Sequence, residues 1–489
     1  MVVNSFYFLF FFSISAIIYY LPVAKSTPRF QNLWLLLCSY FFYGFADWRM
    51  LPLLIAATGT FYGLGLWLHH EMDRHATKQS SLITTIGVIL GVGILLYFKY
   101  LNFFASSFAV LLNSIGLHVS WTTLNIILPV GVSFFTFKLI SYVIEIHREH
   151  IEPSRDPVEF ACYVAFFPTI LSGPIDRPST FLPQLQHRHC FDYSLALDGG
   201  RQILWGMFTK MCIADNLATL TDNVWQSYNL VSTPTLLVVA LVYPIQMYTD
   251  FDGYSNMAIG VGKLLGFRIT RNFNHPLLAR NTAEYWRRWH MSLTSWITDY
   301  IFMPLNISFR NKGNWGIMMA CIINLIVIGF WHGANWTYGF FGLYHGLLFV
   351  PLILSGTFGK NRKLRPNNYG LPQGSDLMKM FITYVLISIG LVIFRAPTIT
   401  DALGFLSQLF TASSPSITSV NTYVRPITFL FIIILILAEW VKRSDEHPLQ
   451  FSHHFLLRYR IIRWALYYTI FFAIILFQGQ SNTFIYFQF

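Results

Sequence analysis

The chain has 489 residues, of which 54% are hydrophobic and only 11% charged, with a mean hydropathy of +0.50. A soluble domain carries roughly 25% charged residues, so this composition excludes a soluble enzyme and identifies an integral membrane protein. The net charge of +11 lies in short loops between apolar runs. Nucleic acid is therefore a poor explanation for it, and the basic bias of cytoplasmic loops a good one.

A spanning helix needs about 20 mostly apolar residues. Apolar runs cover 6–24, 33–46, 51–68, 81–98, 101–117, 124–144, 158–172, 201–218, 234–251, 254–267, 315–333, 336–355, 377–394, 425–441 and 461–478. The first, Phe6–Ala24, has no basic n-region and no cleavage site, and reads as a retained helix. Runs 158–172 and 254–267 are short and bracketed by Gly and Pro, as expected of re-entrant segments buried in protein. Leu128-Pro129-Val130-Gly131 and Gly173-Pro174-Ile175-Asp176-Arg177 break the backbone inside apolar surroundings. The expectation is an all-α polytopic fold with about 11 or 12 spans plus re-entrant or interfacial helices. It forms a single membrane domain over 1–489, with its motif core at about 124–355. The basic loops, Lys360–Arg365 among them, fall on one side if 101–117 lies flat, which puts the N-terminus outside the cytoplasm.

Soluble-enzyme signatures are absent. There is no G-x-S-x-G, P-loop or G-x-G-x-x-G, and the five cysteines include no CxxC pair, so neither a disulfide framework nor a zinc cluster is indicated. His70-Glu71 with His75 places the histidines five apart, whereas a zincin needs them four apart. No metal is expected.

The chemistry concentrates between Asn281 and Gly346. His332, in Trp331-His332-Gly333-Ala334-Asn335, ends an apolar run; a neutral imidazole there can take a proton from a hydroxyl. Gly333 and Ala334 are expected to leave room beside the ring. His290 lies 42 positions earlier in Glu284-Tyr285-Trp286-Arg287-Arg288-Trp289-His290. Arg287 and Arg288 need partners if buried, with Glu284, Asp299, Asp250 and Asp252 available, or else they anchor at the interface. Asp250 and Asp252 also fit a helix-end cap before Gly253. His345 is a packing or supporting candidate. Each histidine has a bland alternative as a hydrogen-bonded core residue, and the spacing alone leaves this open.

Taken together, several stretches resemble the membrane-bound O-acyltransferase family, in its bacterial alginate O-acetyltransferase-like branch. They are Leu128–Phe137, Ser172-Gly-Pro-Ile175, Tyr248-Thr-Asp-Phe-Asp-Gly-Tyr-Ser-Asn-Met257, Arg271-Asn-Phe-Asn-His-Pro276, Glu284–Leu293, Trp331–Asn335 and Phe484–Phe489. The resemblance implies that His332 is the family's signature catalytic histidine and His290 the second histidine of this branch. It also implies a funnel across the bilayer in which acyl donor and acceptor meet. Arg287, Arg288, Asp250, Asp252, Trp331, Asn335 and His345 are the candidates for substrate binding or support. Two departures bear on substrate or partner identity: Asp252 and Asn256 stand where the family's pattern has Ser and Asp, and 305–313 replaces a glycine-rich loop.

The function so implied is transfer of an acyl group, acetyl in the first place, from a cytoplasmic thioester to hydroxyls of an exported cell-envelope polysaccharide. Acetyl-CoA is the expected donor, with no bound cofactor and an extracytoplasmic acetyltransferase as partner. His332 would act as general base, while His290 would orient or polarise the donor carbonyl or receive the acyl group. The competing readings are D-alanyl transfer to teichoic acid from a carrier protein and, in another class, a transporter. The expected location is the bacterial inner membrane.

Overall fold

The computed structural model describes residues 3–21, 28–360, 370–411, 424–451 and 459–480. Among these every regular element is helical. Part of the Lys360–Arg365 loop and the whole of Phe484–Phe489 lie outside the described residues. Among the described residues, six helical stretches are long and apolar enough to cross a membrane: Pro28–Asp73, Thr77–Ser114, Arg310–His332, Trp336–Leu354, Gly374–Arg395 and Arg460–Phe477. The chain is a multi-pass, all-α membrane protein. The chain divides into two compact units, residues 1–200 with 258–270, and residues 201–257 with 271–489.

The first unit contains α1 (Phe6–Tyr19), α2 (Pro28–Asp47), α3 (Leu51–Asp73), α4 (Thr77–Leu95), α5 (Leu101–Ser114), α6 (Val132–His147), α7 (Pro157–Ala165) and α8 (Pro178–Leu185). Helix α6 begins only at Val132, because Pro129 lacks a donor and Gly131 turns the chain at φ 73°; the expected run 124–144 is helical only in its second part. It is the unit's buried post, packed by α3 and α4. The run 158–172 is a short helix followed by irregular chain, buried from Phe160 onward. Buried irregular backbone needs partners. Lys138 Nζ donates to the Tyr163 carbonyl (3.0 Å) and to Thr169 Oγ1 (3.2 Å), and Ser39 Oγ accepts from the Phe167 amide (3.1 Å).

The second unit runs from the later part of α9 (Tyr193–Phe208) through α10 (Asp215–Gln226) and α11 (Thr233–Leu264). It then takes in the short helices α12 (Thr282–Arg288), α13 (Met291–Ile297) and α14 (Met303–Ser308). It continues with α15 (Gly313–His332), α16 (Trp336–Leu347), α17 (Val350–Leu354), α18 (Gly374–Arg395), α19 (Ile399–Gln408), α20 (Ile427–Val441) and α21 (Arg460–Phe477). Helix α11 corrects the sequence reading. It is continuous over 32 residues, through Asp250, Asp252 and Gly253, where two segments and a helix-end cap were expected. Gly253 is in the sequence for close packing and not for a break: a Cβ on it would stand 2.8 Å from the Gly206 carbonyl oxygen.

Helices α15 and α16 form a tight hairpin that places His332 at its turn. Gly342 and Gly346 sit one turn apart on α16 and face Leu325–Ile326 and Ile322 of α15. Small residues at this spacing let membrane helices approach closely. At Gly346 a Cβ would lie 2.9 Å from Ile322 Cα. Gly346→Val should therefore pry the hairpin apart and cost about 1–3 kcal/mol, the range for overpacking. A lower thermal midpoint in detergent checks this, and an unchanged midpoint contradicts it.

Candidate active site

The site residues all belong to the second unit. Helix α15 carries no charged residue from Gly313 to His332. It stops at Gly333, which is extended, and Asn335 caps α16 by accepting from the Thr337 amide (3.1 Å). Asn335 Nδ2 also donates to the Pro397 carbonyl (2.8 Å), so Asn335 holds the hairpin turn. His332 is buried with Phe394 5.1 Å from its ring centroid and Phe341 at 6.4 Å. The room expected beside Gly333 is filled: a Cβ there would run into the ring of Tyr338. An incoming group must therefore approach His332 from another direction.

His290 sits between α12 and α13, where it adopts a left-handed conformation (φ 42°, ψ 54°). For a residue with a side chain this costs about 1–3 kcal/mol, and such strain persists only where the surroundings over-determine it. Here the surroundings are the irregular segment after Thr270. The Asn272 carbonyl accepts from the Met291 amide (2.7 Å) and the Arg288 carbonyl from the Asn274 amide (3.0 Å). The Asn272 side chain meets His290 Nδ1 at 3.2 Å and Ser292 Oγ at 2.6 Å. The imidazole lies edge-to-face against Phe251 of α11 (4.6 Å) and against Trp331 (5.5 Å). Burial pushes its pKa down to about 3, so the ring is neutral at physiological pH.

Trp331 is the joint of the site. Its ring stands 5.5 Å from His290 and 5.1 Å from His332. Two histidines 42 positions apart thus share one aromatic wall. His345 lies elsewhere on α16: Trp286 Nε1 donates to its Nδ1 (3.4 Å), and its ring packs on Phe341 (4.5 Å). It ties α12 to the hairpin.

Of the carboxylates the sequence offered, Glu284 does partner Arg288, whereas Asp250 and Asp252 pair elsewhere. Arg288 Nη2 binds Glu284 Oε1 at 2.7 Å, and Arg280 binds the same carboxylate at 3.1 Å. Arg287 is exposed. Asp250 pairs instead with Lys210, which also binds Asp215 at 2.8 Å. Residues Thr209–Ala214 widen into a π-turn, and the ammonium sits buried between the two carboxylates. Asp252 accepts from Asn256 Nδ2 (2.8 Å), and Asn256 Oδ1 in turn accepts from Gln202 (2.9 Å). A further buried chain was also missed: Tyr248 donates to Glu439, whose Oε2 lies 3.7 Å from His275 Nδ1, and Arg271 donates to His275 Nε2 (3.3 Å). The Arg271–Pro276 stretch was the only sequence signal for Asn272, Arg271 and His275; Lys210 and Glu439 gave none. Among the described residues no cluster of His, Cys, Asp or Glu suits a metal ion.

The sequence profile of the MBOAT, membrane-bound O-acyltransferase family matches residues 147–360. The probable alginate O-acetylase AlgI of Pseudomonas aeruginosa is 34% identical over 424 residues, covering 86% of this chain and 77% of that protein. The chain belongs to the membrane-bound O-acyltransferase family. It is an O-acyltransferase. The peptidoglycan O-acetyltransferase of Helicobacter pylori is 29% identical, covering 88% of this chain and 86% of that protein. The teichoic acid D-alanyltransferase of Streptococcus thermophilus is 32% identical, covering 63% and 77% respectively. The profile match includes both His290 and His332.

Glu284 is the electrostatic anchor of this acyltransferase's α12. Its burial favours the neutral acid, but Arg280 and Arg288 outweigh that and hold its pKa below the ordinary value of 4.5. The stabilisation is therefore complete above that value and is lost as pH falls through the lower folded one. Glu284→Gln takes from Arg288 its carboxylate and from Arg280 one of two, Asp376 being the other at 3.7 Å. It should cost roughly 3 kcal/mol, the lower end for a broken buried pair because Arg288 keeps some solvent contact. Thermal melts of both proteins across acidic pH check this: the gap should close on acidification, and a constant gap would contradict it.

Proposed function

We propose that the enzyme moves an acetyl group from a cytoplasmic thioester, with coenzyme A as carrier, to hydroxyls of an exported cell-envelope polysaccharide in the bacterial inner membrane. The observation that carries this reading is the Trp331 wall shared by His290 and His332. The alginate and peptidoglycan acetylating relatives support the acetyl group and the glycan class.

In this reading His332 takes the proton of the attacking hydroxyl as its oxygen bonds to the thioester carbonyl carbon. The tetrahedral intermediate then collapses by breaking the carbon–sulfur bond, and the proton passes to the departing thiolate. His290, across Trp331, serves the same acyl carbon. The buried aromatic surroundings exclude water, which would otherwise hydrolyse the thioester. Arg287 is the arginine left for the donor's phosphates, since Arg288 is engaged by Glu284; charge-assisted contacts of this kind are among the stronger hydrogen bonds. An extracytoplasmic acetyltransferase is the partner that would complete delivery to the glycan.

The D-alanyl-transferring relative supports a second reading, in which the donor is a carrier-protein thioester and the acceptor teichoic acid. Mass spectrometry of envelope polymers from wild-type cells and a His332→Ala strain tests both. The proposal expects O-acetyl groups on a glycan in the wild type and a loss of about 10²–10⁴-fold in the variant, the usual worth of a general base. D-Alanyl esters lost instead would establish the second reading. Wild-type acetylation by a correctly inserted His332→Ala protein would refute the role of His332.

A further inference from the structure

Asn272 is fully buried in the irregular segment between α11 and α12. Besides its carbonyl bond to Met291, its side chain makes three contacts: Ser292 Oγ at 2.6 Å, His290 Nδ1 at 3.2 Å and Ser255 Oγ at 3.0 Å. The lengths orient the amide. Hydroxyl-to-oxygen bonds centre near 2.7–2.8 Å and N–H···O bonds near 2.9–3.0 Å. The 2.6 Å contact is therefore the Ser292 hydroxyl donating to Oδ1, and the 3.0 Å contact is Nδ2 donating to Ser255. Oδ1 can only accept, so the neutral His290 must donate from Nδ1. A neutral imidazole carries one N–H, which makes Nε2 the nitrogen with the lone pair.

We propose that Asn272 is a positioning residue that locks His290 in the Nδ1–H tautomer, so that His290 meets the reacting groups as an acceptor at Nε2. This rests on the reading of His290 as part of the active site, and it sharpens that reading. A neutral His290 of this tautomer cannot polarise the donor carbonyl by donating from Nε2; what Nε2 can do is take a proton or the acyl carbon. The same asparagine fixes the ring's direction, because its carbonyl holds Met291 and its amide oxygen holds His290 itself and Ser292.

The test compares Asn272→Ala, Asn272→Asp and His290→Ala in the full-length enzyme, with acetyl-CoA as donor, measuring kcat, KM and rate against pH. Asn272→Ala should lower kcat by about 10–100-fold, as is usual when the partner orienting a reacting imidazole is removed, with KM little changed. Asn272→Asp keeps an oxygen opposite Nδ1–H but loses the donor to Ser255. It should recover most of kcat, and its rate should fail at higher pH on the acid side, because a carboxylate stabilises the imidazolium. A purely structural asparagine predicts the reverse: Asp as damaging as Ala, with no shift of the pH profile, and that result overturns the proposal. If Asn272→Ala does not accumulate, the pH profile of Asn272→Asp decides alone. An inactive His290→Ala beside wild-type Asn272 variants would sink the Asn272 proposal only, whereas a fully active His290→Ala would sink the reading it rests on.

Discussion

The double grip of Asn272 on the turn at His290–Ser292 is the contact on which the site's geometry depends. One residue supplies a backbone acceptor to Met291 and a side-chain acceptor to both His290 and Ser292. That grip, together with the Asn274–Arg288 bond, holds a non-glycine residue in the left-handed region. Without it the histidine ring would be released from its place against Phe251 and Trp331. In an apolar protein each buried polar group must find a partner, and in the proposed site the same partners would aim His290.

The same economy of partners runs through the rest of the second unit. Glu284 bridges two arginines of its own neighbourhood, and Lys210 bridges Asp250 and Asp215. The α15–α16 hairpin needs no charges at all, since Gly342 and Gly346 let backbone meet backbone. His332 thus stands on a scaffold whose polar residues are absorbed locally, inside a shell of Trp331, Phe341 and Phe394. In the proposed mechanism, such an aromatic, buried setting would favour acyl transfer over hydrolysis by limiting water.

The sequence displayed what local patterning can display. An uncharged run ending in Trp331-His332-Gly333 announced α15 and its terminal histidine, and the Trp-Arg-Arg-Trp-His stretch announced the second half of the site. Pairings over long separations were hidden. Asp250 faces Lys210 because of a π-turn that has no signature in residue type, and Tyr248 reaches Glu439 across 191 positions. Gly253 looked like a helix end but serves a close helix approach, so α11 runs on. Gly333 looked like space for a substrate and is occupied by Tyr338. Asn272 stood in the Arg271–Pro276 stretch with no role of its own, because its importance lies in what folds back onto it.

In the proposed mechanism His290 and His332 form one site. A double-variant cycle tests it most directly: turnover of acetyl-CoA by wild type, His290→Ala, His332→Ala and the combined variant, at matched amounts of folded enzyme. Residues acting as a unit are strongly non-additive, so the account predicts that the combined variant is no slower, within a few-fold, than the slower single variant. Losses that multiply would show two independent contributions and contradict it.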